Sequence, residues 1–78
     1  MDESPNLSDA PIGVTCVIRE LKACPETSKR LRELGISEMA AVRPVVKNRT
    51  QMICEVHNTR VGLRRRIARR IVVSPTER

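Results

Sequence analysis

The chain has no Phe, Tyr or Trp, one His, and three glycines scattered along 78 residues. Without aromatic rings a core must be assembled from small aliphatic side chains, and the nine Val, six Ile and five Leu favour strands over helices. A close-packed centre of that kind leaves no cavity for a drug-sized ligand. The missing rings also remove the platforms on which single-strand-binding barrels stack bases. One His cannot supply a nucleophile with a matching base, and the scattered glycines form no phosphate-cradling loop. Glu33 and Glu38 read as solvated helix-end residues rather than a catalytic pair. These absences argue against an enzyme and against any bound cofactor.

Three further absences narrow the class. No stretch approaches eighteen consecutive apolar residues, so no membrane-spanning helix is expected. The first residues lack a basic, apolar, small-residue pattern, so no secretory leader is expected and a cytoplasmic location follows. The three cysteines include no CxxC, and unpaired thiols fit a reducing compartment. Cys54 and His57 are the only close pair of metal-ligating type, but a spacing of three on a strand sends them to opposite faces. Cys16 and Cys54 therefore read as core, Cys24 as a loop residue and His57 as an exposed sheet residue. No tight iron site is expected.

Acidic residues are scarce except at the start. Residues 1–11 carry −3 and residues 12–78 carry +9, for a net charge of +6. Twelve of the fifteen basic side chains are Arg, whose planar fork suits carboxylate and phosphate. An anionic partner (nucleic acid, anionic lipid or an acidic protein surface) and a merely solvated basic face are both compatible with that charge.

Met52–Val73 organises the chain. Met52, Cys54 and Val56 alternate with Ile53, Glu55 and His57, as in a strand with one buried face. Asn58-Thr59 interrupts the pattern, and Val61 and Leu63 resume it, giving a hairpin over 52–63. Leu63, Ile67 and Ile71 then fall four apart with Ala68 beside them, a narrow apolar stripe on a short helix among Arg64, Arg65, Arg66, Arg69 and Arg70. That stripe requires Arg65, Arg66, Arg69 and Arg70 to point into solvent. Ile71–Val73 is a closing strand.

Upstream, residues 1–11 are polar, contain Pro5 and Pro11, and are expected to be disordered. Ile12, Val14, Cys16 and Ile18 alternate as a first strand, and Glu20–Cys24 connects it to a helix beginning at Pro25. Leu31 and Leu34 form the apolar side of that helix. Gly35 ends it in a left-handed conformation that places Ile36 over Leu31. A second strand covers Ala41–Lys47, with Pro44 at an edge or bulge. Lys47–Gln51 forms a hairpin loop, and residues 74–78 form a loose tail. The ordered domain thus spans 12–73. Its core is expected to include Leu31, Leu34, Ile36, Val61, Leu63, Ala68, Ile71 and Val73. The predicted fold is mostly β: about five strands in a curled sheet or partly open barrel, one helix between the first two strands and a helical turn before the last.

The segments Leu34-Gly35-Ile36, Val61-Gly62-Leu63-Arg64, Ala68 and Ile71-Val72-Val73, in that order, resemble the ferrous-iron transport protein A (FeoA) family over roughly Ile12–Val73. The resemblance implies an SH3-like β-barrel without enzymatic activity. It also implies a cytoplasmic accessory protein acting by contact with the membrane ferrous-iron permease and its G-protein domain. The basic patch, read from the residues themselves, makes Arg64, Arg65, Arg66, Arg69 and Arg70 the candidate contact surface. Two departures stand out. Glu38-Met39 occupies the place of a usual Pro-Gly pair, which would strain or reshape the turn at Met39. Pro44 replaces an aliphatic strand residue. Alternative readings are a small basic nucleic-acid-binding barrel, through phosphate contact alone, and a stand-alone regulatory domain related to those of metal-dependent repressors.

Overall fold

The computed structural model describes residues 5–75. Five strands, β1 (Cys16–Leu21), β2 (Ala41–Lys47), β3 (Gln51–Val56), β4 (Thr59–Arg64) and β5 (Ile71–Pro75), form one antiparallel sheet in the order β4-β3-β2-β1-β5. Helix α1 (Pro25–Glu33) joins β1 to β2, and the single turn α2 (Arg65–Ala68) joins β4 to β5. An additional 3₁₀ turn, Leu7–Asp9, precedes β1.

The sheet is open, within the expectation of a curled sheet or partly open barrel, and its described strands show no closure into a full barrel. β4 and β5 are its two edges, and α2 bridges them while packing against the 3₁₀ turn. Curvature comes from two irregularities: the register shifts between Ile18 and Glu20 on β1, and between Pro44 and Val46 on β2. Each extra residue bends its strand and increases the local twist.

The first strand lies later than its alternation suggests. Ile12 and Val14 are 53% and 46% exposed, outside the ladder. Gly13, at φ +86°, turns the chain there, and its N–H donates to the Pro44 carbonyl at 2.7 Å. The strand instead extends to Leu21, pairing with Ile71. Pro44 is on an inner strand rather than an edge, at the expected bulge, and it is buried.

Helix α1 begins at Pro25 and ends as its sequence dictates. Gly35 adopts φ +95°, its N–H donates to the Arg32 carbonyl at 3.0 Å, and the Ile36 N–H donates to the Leu31 carbonyl at 2.9 Å. That pair of bonds satisfies two orphan carbonyls and folds Ile36 back over Leu31. Leu34 is the casualty: it caps the helix at 46% exposure and is not a core residue. Ile36, fully buried, takes the place assigned to it. The other expected core residues, Leu31, Val61, Leu63, Ala68, Ile71 and Val73, are buried together.

Both chain segments expected to be loose hold structure within the described residues. From Pro5 to Pro11 the chain carries Leu7 and Ser8 into the interior at zero exposure. Asn6 bridges to Val72, and its side-chain oxygen accepts the Asp9 N–H at 3.0 Å, capping the turn. Burial of Leu7 together with these backbone and side-chain bonds docks a polar segment, a result that composition alone conceals. β5 likewise runs on to Pro75, opposite Cys16. Residues 1–4 and 76–78 of those two expectations lie outside the described residues.

The β3–β4 hairpin turns on His57-Asn58 rather than Asn58-Thr59. Both residues have positive φ, 51° and 62°, and Val56 pairs with Thr59, the arrangement of a two-residue turn whose twist matches the strands.

Candidate functional site

The β2–β3 loop, the end of β4 and α2 are stitched into one basic surface. The Asn48 side-chain oxygen accepts the backbone N–H of Thr50 at 3.0 Å and of Gln51 at 2.8 Å, which fixes the loop. The Arg65 N–H donates to the Thr50 carbonyl at 2.8 Å, tying the first residue of α2 to that loop.

Arg65 does not splay into solvent. Its guanidinium donates to the Ser8 hydroxyl at 2.9 Å, the Ser8 carbonyl at 3.2 Å and the Asn48 carbonyl at 3.1 Å. Lys47 adds a further donor to the Ser8 carbonyl at 2.9 Å. The half-buried Arg65 is therefore a strut between the 3₁₀ turn and the loop, with its charge spread over three neutral acceptors. The remaining predicted arginines, Arg64, Arg66, Arg69 and Arg70, are exposed.

Two adjoining concavities result. One, of about 470 Å³, is lined by Arg49, Thr50, Gln51, Arg64, Arg65, Arg66 and Arg69. The other, of about 390 Å³, is lined by Lys22, Ala23, Cys24, Thr27, Arg66, Ile67 and Arg70. Arg66 belongs to both. Neither lining contains a carboxylate. The two ion pairs among the described residues, Arg32–Glu38 at 3.0 Å and Arg43–Glu55, lie elsewhere. Hydrogen bonding from Arg32 holds the Glu38 carboxyl below its ordinary range.

Arg49, Ser8 and Asn48 belong to this assembly although their sequence context does not mark them. Asn48 lay in a recognisable loop, and Arg49 beside it differs from other solvated arginines only once the fold brings α2 alongside. Ser8 has no sequence signal at all.

The thiols divide by environment. Burial raises the Cys16 thiol and pushes Cys54 up to about 11, whereas hydrogen bonds from Thr27 lower the exposed Cys24. His57 projects at the hairpin tip over the end of α1, where a Cβ on Gly35 would come within 3.0 Å of its ring. Among the described residues no three His, Cys, Asp or Glu side chains converge as metal ligands. No described helix is long and apolar enough to cross a membrane.

A small, mostly β domain with an open five-stranded antiparallel sheet, a short helix on its edge-to-edge connection and a carboxylate-free basic face is the class these features define. The FeoA domain model matches residues 6–75, and the chain belongs to the FeoA family, which is associated with ferrous-iron transport. Its structure is similar to the FeoA protein of Chlorobium tepidum, with a TM-score of 0.84 at 19% identity over 94% of this chain and 71% of that one. A FeoA-like protein of Clostridium acetobutylicum gives a TM-score of 0.81 at 14% identity, over 100% of this chain and 93% of the other. FeoA of Stenotrophomonas maltophilia, solved with zinc and described as a procaryotic SH3 domain protein, gives 0.74 at 33% identity, over 90% and 89%. No curated protein matches the sequence.

Proposed function

We propose that this protein is an accessory factor of ferrous-iron uptake that works by docking on the cytoplasmic part of the membrane ferrous-iron permease. The observation that carries this reading is the family match across 6–75, nearly the whole described chain. The S. maltophilia relative is itself described as a candidate ferrous iron transport activating factor, in keeping with the reading. The basic face supplies the contact: Arg64, Arg66, Arg69 and Arg70 are exposed, while Arg65 holds the surface in shape from behind. Rim charges of this kind govern association rate and salt dependence more than residual affinity.

The test is capture of the detergent-solubilised permease by the immobilised protein, with Arg66→Glu/Arg69→Glu as the variant. Exposed charges contribute only about 0–1 kcal/mol each to folding, so the variant should stay folded. Capture should weaken, and the difference should be larger at low than at high salt. Undiminished capture by the folded variant would remove the basic face from the proposal.

A further inference from the structure

Among the described residues, Arg49, Arg64, Arg66 and Arg69 converge on one hollow of about 470 Å³ with no carboxylate in its lining. None of these four guanidinium groups has a salt-bridge or hydrogen-bond partner within the described chain. Like charges gathered in a concavity repel one another, and an anion in their midst converts that repulsion into attraction.

We propose that this hollow, between the β2–β3 loop, the end of β4 and α2, binds a multiply charged phosphate group. The inference rests on the basic face being the functional one and names the chemistry that face recognises. Three observations favour phosphate over a protein carboxylate. A carboxylate brings one charge on one side chain, whereas four free guanidinium groups around a single hollow match a compact group with several charges and several acceptor oxygens. Apart from Arg65, the remaining side chains in the lining, Thr50 and Gln51, offer hydroxyl and amide donors rather than an apolar wall for a peptide side chain. The floor is rigid before any ligand arrives, because Arg65 is held by three hydrogen bonds and the loop backbone by Asn48. The second hollow, which shares Arg66 and adds Lys22 and Arg70, extends the cationic track for an adjoining phosphate.

Such a phosphate can belong to a soluble molecule or to a lipid headgroup, and two arms of one experiment separate them. In the first, the full chain is titrated calorimetrically with inorganic pyrophosphate at low salt. One-site binding is expected, about tenfold or more weaker in Arg66→Gln/Arg69→Gln and unchanged in Arg30→Gln, on the solvent face of α1. In the second, the chain is sedimented with vesicles of phosphatidylcholine alone or of phosphatidylcholine containing phosphatidic acid, whose phosphomonoester carries more than one charge. Selective co-sedimentation with the anionic vesicles, lost in the same variant, assigns the phosphate to lipid; pyrophosphate binding without vesicle binding assigns it to a soluble molecule. Absence of binding in both arms, or binding that Arg66→Gln/Arg69→Gln leaves intact, overturns the proposal. Should that variant unfold, Arg66→Lys/Arg69→Lys keeps the charge and removes the fork, and an intermediate affinity is expected. The titration contains no permease, so a failed permease capture leaves it standing, and a failed titration leaves the capture standing.

Discussion

Cys54 and Cys24 carry the same thiol in opposite surroundings. Cys54 is fully buried and its thiol is pushed up to about 11, chiefly by desolvation. Cys24 is exposed, and its hydrogen bonds with Thr27 favour the thiolate. Alkylation of the native protein near neutral pH, followed by mass spectrometry, should label Cys24 first and Cys16 and Cys54 only after denaturation. The raised Cys54 value also sets an alkaline limit. An acid whose folded value lies above its unfolded one, here about 11 against 9.0, stabilises fully below pH 9 and progressively less as pH climbs through 11. The chain has no Tyr to titrate in the same window. Thermal midpoints should hold from pH 7 to 9 and fall between 9 and 11, with a shallower fall in Cys54→Ala. Met39 stores a different cost: it sits at φ +74°, with its side chain 71% exposed and its N–H donating to the Ile18 carbonyl at 2.7 Å. A non-glycine residue in the left-handed region costs on the order of 1–3 kcal/mol, part of which glycine's greater unfolded-state entropy takes back. Met39→Gly should therefore raise stability by roughly 0.5–1 kcal/mol in chemical denaturation. That turn was legible from the family pattern, because the backbone bond to Ile18 demands the same conformation whatever the side chain. Leu34 was not, since spacing alone cannot tell whether the residue at a helix cap or the one just past the glycine will cover the helix.

Elements were readable where a local rule fixed them and unreadable where a distant contact did. β3 and β4 follow alternation, with inward Met52, Cys54, Val56, Val61 and Leu63 and outward partners between them. The start and end of α1 follow from Pro25 and Gly35. By contrast, alternation continues on paper through Ile12 and Val14, and only the bond from Gly13 to Pro44 explains why the ladder stops. The 3₁₀ turn is the clearest case, because its anchors, Arg65 and β5, lie 57 or more residues away. Its contribution is measurable. Leu7 is fully buried against the core, so Leu7→Ala should cost about 2–5 kcal/mol, the range also expected for Leu63→Ala. A disordered segment would give no loss at all. Arg65→Ala should loosen the same turn without emptying the core, visible as faster amide exchange at Asp9 and Ala10, whose N–H groups donate to Asn6 and Leu7. The arginine cluster was legible as a cluster; the division of labour within it, one strut and several free cations, emerges only from the packing of that turn.

At the scale of the whole molecule, the sheet is open at β4 and β5, and the 3₁₀ turn with α2 occupies the gap that a closed barrel would seal. The edges are shielded unevenly. β5 carries the Asn6 bridge and the bond from the Val73 N–H to the Pro5 carbonyl at 3.0 Å, while β4 presents Arg60 and Arg64 to solvent, charges of the kind that discourage strand addition. Charge is distributed with similar asymmetry, since both ion pairs lie away from α2 and its surroundings keep unneutralised arginine. The same arrangement brings the two ends of the described chain together: Pro5 bonds to Val73, and Pro75 lies two residues further along the same strand. Chain connectivity and architecture are therefore separable here. A short flexible linker from Pro75 to Pro5, with new ends cut between His57 and Asn58, would keep every strand pairing while changing which elements are neighbours in sequence. Such a circular permutant should reproduce the native circular dichroism spectrum. It should unfold at lower denaturant, because β3 and β4 no longer meet through a two-residue turn and the entropy of bringing them together must be supplied anew.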